Sequence, residues 1–178
     1  VSNVAGIGNG AKHGVLLKGS ELIKSFSKTD TFIFDKTGTL TVGRPLVREA
    51  EFFGPDAHYV KDLLVSVEKE SDHPLAKAIV EAYDKGRTDY PVDHTDVIKG
   101  GGIKAQVDNK TVLVGNVKLL ESMGVVFDRK QENLAKAYEK SGNSIIAVAI
   151  EGELKALIGI RDKVRLGAKE KLQELKDQ

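Results

Sequence analysis

The apolar positions of this chain follow two spacings, and their order predicts strands and helices in alternation rather than one repeated element. Thr31-Phe32-Ile33-Phe34 is a continuous apolar run of the length of a buried strand, and residues 14–18 upstream are apolar and extended. Between them, Ser20 has the chemistry of an N-cap for a helix carrying Leu22, Ile23 and Phe26 on one face. After Gly43-Arg44-Pro45 the pattern changes. Residues 47–53 read as a strand, and a helix starting at Pro55 or Asp56 places Val60, Leu63, Leu64 and Val67 on one stripe. His73-Pro74 opens a second helix, with Leu75, Ile79, Ala82 and Tyr83 inward and Gly86 as its stop.

Residues 87–95 have no period and read as a surface loop. Two short strands follow at 103–107 and 111–114, with Asp108-Asn109 as turn chemistry between them, and helices are expected over 117–123 and 132–140. The clearest hairpin joins 144–150 to 154–160 through Glu151-Gly152-Glu153. The last segment has helical spacing at Ala168, Leu172 and Leu175 but ends amid charges with no cap, so it is expected to be cut short of its domain.

Composition narrows the class. With 178 residues, 40% hydrophobic and 30% charged, the chain is that of a globular protein of one domain, or one domain with part of another. No apolar run approaches the roughly 20 residues of a membrane span. A net charge of +1 with interspersed signs gives no electrostatic case for nucleic acid as a partner. The absence of cysteine excludes disulfides and thiolate chemistry, and His13, His58, His73 and His94 have no metal-ligand spacing.

The chemistry concentrates at Asp35-Lys36-Thr37-Gly38-Thr39-Leu40-Thr41, directly after the apolar run. A strand delivering Asp35 to its carboxyl end would expose a nucleophilic carboxylate; Gly38 permits a sharp turn, and the threonines offer hydroxyl and amide donors to phosphate oxygens. Lys36 adds positive charge. A strand followed by an Asp/Thr/Gly turn is common, but seven residues in this order are not: the segment resembles the phosphorylation motif of P-type ATPases, pumps that form an aspartyl phosphate. Related phosphatases of the haloacid dehalogenase-like fold place a second Asp two residues after the nucleophile. Here Thr37 stands there, so fast general-base hydrolysis of an acyl phosphate is not expected.

Three further pieces follow: Glu68-Lys69-Glu70-Ser71-Asp72-His73-Pro74-Leu75, Gly100-Gly101-Gly102-Ile103, and Gly115-Asn116. Each alone has a bland explanation, as helix start or glycine turn. Their succession resembles the nucleotide-binding domain of heavy-metal-transporting (P1B-type) P-type ATPases, which export copper, zinc, cadmium or related ions. The resemblance covers essentially the whole chain. It implies an α/β protein with an α+β insert: an antiparallel twisted sheet flanked by helices, residues 43–157, inserted into an incomplete Rossmann-like phosphorylation domain of haloacid dehalogenase type, residues 1–42 and 158–178. It further implies that Asp35 accepts the γ-phosphoryl of ATP with Lys36 and Thr37 beside it. Glu68 and His73 would contact or orient the adenine, Gly100, Gly102 and Ile103 would form the adjoining wall, and Gly115 and Asn116 would complete the pocket. Asp162 and Arg165 match an Asp-x-x-Arg hinge, although Leu166-Gly167 replaces the Pro-acidic pair usual after it.

ATP and Mg²⁺ are the implied cofactors, the metal resting on Asp35 and Thr37 with its other ligands beyond residue 178. The implied partners are the transmembrane, actuator and remaining phosphorylation domains of the same pump, of which this is a cytoplasmic part. Two rivals stand beside this reading: a phosphohydrolase of the dehalogenase-like fold, and a nucleotide-sensing module without turnover.

Overall fold

The computed structural model describes residues 2–19, 21, 25 and 28–177. Residues 1–35 and 36–178 form two separate compact units. In the first, α1 (Ser2–Lys12) ends in a turn where the Val15 amide donates to the Gly10 carbonyl. Residues 14–18 are irregular, and the expected Ser20-capped helix with Leu22, Ile23 and Phe26 falls outside the described residues. The run 31–34 is not the buried strand its composition predicts. It is irregular and exposed, Ile33 to 96%, and the rings of Phe32 and Phe34 stack on one another 6.2 Å apart. A strand needs a neighbour for its backbone groups, and none of the described strands pairs with these residues.

The second unit begins with a single π-helical turn, Lys36–Leu40, and leads into β1 (Thr41–Phe52). Helices α2 (Ala57–Glu68) and α3 (Pro74–Tyr83) follow, then β2 (Val92–Ile98), β3 (Gly102–Val107) and β4 (Lys110–Gly115). Helices α4 (Val117–Ser122) and α5 (Arg129–Lys140) precede β5 (Ser144–Ile150), β6 (Glu153–Val164) and α6 (Ala168–Lys176). Among the described residues the strands form one sheet in the order β1-β6-β5-β4-β3-β2, antiparallel throughout.

Helices cover both faces. The predicted stripe Val60, Leu63, Leu64 and Val67 is fully buried and packs with Ile79 against Ala105, Val107, Val112, Val114, Val148 and Ile158. The opposite face holds Leu120, Ala135 and Tyr138 of α4 and α5 against Leu113, Ala147, Ala149 and Leu157. Each fully buried aliphatic side chain contributes about 1.5–3 kcal/mol relative to exposure, so these two layers supply the main stabilisation of the unit.

Several boundaries differ from expectation for local reasons. Ala82 is exposed, and Ala76 and Ala78 are the small buried residues of α3. Residues 92–98, expected within or after a loop, form β2, an edge strand whose outward side chains need not be apolar. Helix α5 starts at Arg129 because Asp128 and Gln131 form a reciprocal capping box: the Gln131 amide donates to Asp128 Oδ1 at 2.8 Å, and the Asp128 amide to Gln131 Oε1 at 2.9 Å. Both hairpins turn as their residues predict, with Asp108 and Asn109 at φ 51° and 58° and Glu151 and Gly152 at φ 52° and 79°. Strands β1 and β6 run past the expected ends and keep pairing to Thr41 and Val164. Pro45 is tolerated in β1 because β1 is an edge strand.

Candidate functional site

Asp35 is exposed at the end of the first unit. Lys36 to Leu40 wind into the π-helical turn, with Gly38 at φ 82°, a conformation that side chains with a Cβ rarely adopt. What holds this turn is the hinge pair. Asp162 sits opposite Pro45 in the β1–β6 ladder, and its carboxylate accepts from the Thr41 hydroxyl at 2.5 Å, the Gly43 amide at 2.9 Å and the Arg44 amide at 3.0 Å. These donors, the Thr41 hydroxyl foremost, hold the Asp162 carboxyl below its ordinary range. Arg165 closes the other side: its amide donates to the Leu40 carbonyl at 2.9 Å and its Nη2 to the Gly38 carbonyl at 2.8 Å.

Asp162 and Arg165 therefore clamp the turn that follows Asp35 to the sheet. Thr41 was expected to offer its hydroxyl to phosphate; it is buried and committed to Asp162, with the Lys36 carbonyl also within 3.1 Å. Arg44 extends the clamp to α3, where its guanidinium meets Glu81 at 2.6 Å. Sequence reasoning missed this link, since a surface Arg and Glu 37 positions apart carry no pairing signal.

Glu68 and His73 lie at the junction of α2 and α3. Glu68 ends α2, the helix that packs on β3 and β4, and it is only 6% exposed. Desolvation pushes its carboxyl from 4.5 up to about 7, so near neutrality it exchanges between acid and carboxylate. His73 is the N-cap of α3. Its Nδ1 accepts from the Leu75 amide at 3.2 Å, while its own amide donates to Ser71 Oγ at 3.2 Å. An accepting Nδ1 carries no proton, so the neutral ring holds its proton on Nε2. Pro74 fits because the first helical position needs no amide donor.

The glycines form the second cluster. Gly102 faces Gly115 across the β3–β4 ladder, where a Cβ on Gly102 would lie 2.1 Å from the Val114 carbonyl oxygen, and one on Gly115 would lie 2.4 Å from that of Gly101. Gly100 has φ 73° in the β2–β3 turn. Asn116 is the N-cap of α4 and is bonded three ways: Oδ1 accepts from the Leu119 amide at 2.8 Å, Nδ2 donates to the Gly100 carbonyl at 3.1 Å, and the backbone amide donates to the Gly101 carbonyl at 2.9 Å. Ile103 points the other way, toward the α2–α3 face, and packs on the same core as Leu75. The structure thus joins Gly100, Gly102, Gly115 and Asn116 directly, and Glu68 to His73 through a short bonded loop. Among the described residues no hydrogen bond links these two clusters.

Among the described residues no group of three or more His, Cys, Asp or Glu side chains could hold a metal ion. Asp35 and Thr37 by themselves are too few for Mg²⁺, which takes near-octahedral oxygen ligation. A groove of about 730 Å³ opens on the opposite face of the sheet, with Lys118, Phe127, Glu132, Lys136 and Asn143 in its lining. No helix among the described residues is long and apolar enough to cross a membrane.

The family profile of the haloacid dehalogenase-like hydrolases matches residues 29–178. The chain belongs to that family. It is similar to a zinc-exporting P-type ATPase of Mycobacterium marinum, 36% identical over 97% of the chain and 24% of that protein. A copper-exporting P-type ATPase of Staphylococcus epidermidis is 35% identical over 99% of the chain and 22% of its own length. The chain spans about a quarter of the curated relatives it matches.

Solved structures agree with the antiparallel, helix-flanked fold of this hydrolase-family member. A zinc-transporting PIB-type ATPase in the E2.Pi state superposes with a TM-score of 0.72 at 27% identity, covering 97% of this chain and 28% of that one. The catalytic domain of the CPx-ATPase CopB-B, studied for its conformational changes upon nucleotide binding, gives 0.65 at 30% identity, covering 92% and 55%.

Proposed function

We propose that the chain is the ATP-binding and phosphoryl-accepting part of a heavy-metal-exporting P-type pump, held on the cytoplasmic side of a membrane by domains of the same protein. Residues 43–157 are its nucleotide-binding domain; 1–42 and 158–178 belong to the phosphorylation domain. The observation that carries this reading is the clamp. The motif beginning at Asp35 continues into β1, and β6 brings Asp162 and Arg165 back onto it, so the acceptor loop and the sheet with the glycine and His73 clusters share one two-stranded hinge. The similarity to zinc- and copper-exporting ATPases over nearly the whole chain supports it.

In this mechanism the adenine lies against the α2–α3 junction and the glycine loop. Glu68 in its carboxylate form accepts from the exocyclic amino group, and His73 Nε2–H donates to a ring nitrogen. Gly100, Gly102 and Ile103 form the wall, backed by Gly115 and Asn116. A carboxylate oxygen of Asp35 then attacks the γ-phosphorus in line as the bond to the bridging oxygen breaks and ADP leaves, with Lys36 offsetting negative charge. Thr37 supplies no carboxyl for general-base attack by water, so the acyl phosphate persists long enough to drive a conformational step. Mg²⁺ would enter as an ion that ATP carries, offsetting charge on the phosphate oxygens.

Calorimetric titration tests the reading. ATP is expected to bind with and without Mg²⁺, because the base is the main handle, and acid-quenched incubation with γ-labelled ATP is expected to leave this chain by itself unlabelled, because Asp35 and Thr37 are too few to hold the Mg²⁺ that transfer needs. Binding seen only with Mg²⁺ would contradict the assignment to the base-binding clusters. The family description favours one second reading, a soluble phosphohydrolase; steady hydrolysis of a simple phosphomonoester, abolished by Asp35→Asn, would select it.

A further inference from the structure

Asn116 bonds to its own neighbourhood with both ends of its side chain. Its carboxamide has one acceptor oxygen and two N–H donors. The oxygen caps α4 through the Leu119 amide, and Nδ2 holds the Gly100 carbonyl. The backbone amide of the same residue holds the Gly101 carbonyl. Asn116 is thus tied to two consecutive carbonyls of the loop before β3, while the Gly101 amide closes that loop onto the Ile98 carbonyl at 2.9 Å.

The loop has reason to need such a tether. Gly100 holds a positive φ, and Gly102 and Gly115 approach so closely that neither has a side chain to pack the turn in place. Backbone of this kind has high conformational freedom unless something outside the loop fixes it. Leu119 closes one side, since a Cβ on Gly101 would lie 3.2 Å from its Cδ2, and the Asn116 cap orients Leu119 as it starts the helix.

Building on the nucleotide reading above, we infer that Asn116 is a positioning residue: it sets the Gly100–Gly102 backbone against α4 so that the loop meets the nucleotide preformed, and it acts on the nucleotide through that loop. The cap and the tether use different atoms of one side chain, so substitution can separate them. Serine keeps an N-cap acceptor and removes the donor to Gly100; aspartate keeps the acceptor and turns a carboxylate toward the Gly100 carbonyl.

The test uses the full chain in three forms: wild type, Asn116→Ser and Asn116→Asp. Thermal melting, ATP affinity and hydrogen exchange of the Gly101 amide are measured for each, the exchange in nucleotide-free protein. Both variants are expected to melt close to wild type, to exchange the Gly101 amide faster, and to bind ATP about five- to tenfold more weakly, aspartate the worse, as loss of one ordering hydrogen bond predicts. Weaker binding with unchanged Gly101 exchange would show that Asn116 touches the nucleotide itself and would overturn the inference. So would unchanged affinity in both variants. A wild-type chain that binds no ATP would defeat the nucleotide reading and this inference with it; that outcome is separate because it shows before any substitution.

Discussion

Two apolar runs of similar composition end in opposite states. Residues 144–150, Ser-Ile-Ile-Ala-Val-Ala-Ile, form β5 in the middle of the sheet with β4 and β6 on either side, and Ala147 and Val148 are fully buried. Residues 31–34, Thr-Phe-Ile-Phe, are exposed and form no strand. Both runs are strongly apolar, so apolar character alone does not decide the outcome. The difference is whether, among the described residues, a partner strand takes the backbone donors and acceptors. Among the described residues the central strands of the sheet unit therefore have their backbone groups paired, and residues 31–34 do not.

That contrast predicts a steep gradient of mutational cost. Leu63→Ala, in the centre of the α2 core, is expected to destabilise the sheet unit by about 2–5 kcal/mol in denaturant unfolding. A loss under about 1 kcal/mol would mean that this face is not the packed core described.

Glu68 comes next. Its carboxyl is raised from 4.5 to about 7 on folding, so the folded state holds a proton that the unfolded state has released between those values. The Glu68 contribution to stability is then greatest below about 4.5 and falls as pH rises to about 7, by roughly 3 kcal/mol in all. Glu68→Gln is expected to flatten that slope in pH-dependent unfolding while weakening ATP binding. If Glu68→Gln kept the wild-type slope, the burial of this carboxyl would not be its source.

How much of this was legible in the sequence follows the same contrast. The helix stripes and both hairpin turns were readable because Val60, Leu63, Leu64 and Val67, and Asp108-Asn109, each satisfy a local rule. Strand β2 was not, because Asp93, His94 and Asp96 on an edge need no alternation. The clamp was half legible: Asp162 and Arg165 stood out, but their partners at Thr41 and Gly38 depend on a register of more than a hundred residues. The pairing of Gly102 with Gly115, and the use of both ends of the Asn116 amide, likewise appear only once β3 and β4 are aligned. A Gly102 substitution consequently tests folding before binding, since its Cβ would strike the Val114 carbonyl.

A smaller effect separates the two nitrogens of His73. His73→Asn keeps an acceptor for the Leu75 amide and removes the Nε2 donor; His73→Ala removes both. Loss of the cap costs about 1 kcal/mol, so only alanine is expected to lower the melting temperature, while both variants weaken ATP binding. Equal melting losses would show that asparagine does not replace the Nδ1 cap, and unchanged ATP binding in both variants would remove the Nε2 donor from the account. At the low end, Ile33→Ala is expected to change the unfolding free energy of the sheet unit by no more than about 0.5 kcal/mol, as for an exposed residue. A larger change would contradict the separation of the two regions.

The most direct measurement is the footprint of ATP on the amide spectrum of the isotopically labelled chain, recorded with and without Mg²⁺. Shifts are expected at Glu68 to Leu75 and at Gly100 to Ile103, with smaller ones at Gly115 and Asn116, and with the same pattern when Mg²⁺ is chelated. A footprint confined to the groove beside Lys118, Phe127 and Lys136, or no footprint at millimolar ATP, would contradict the account.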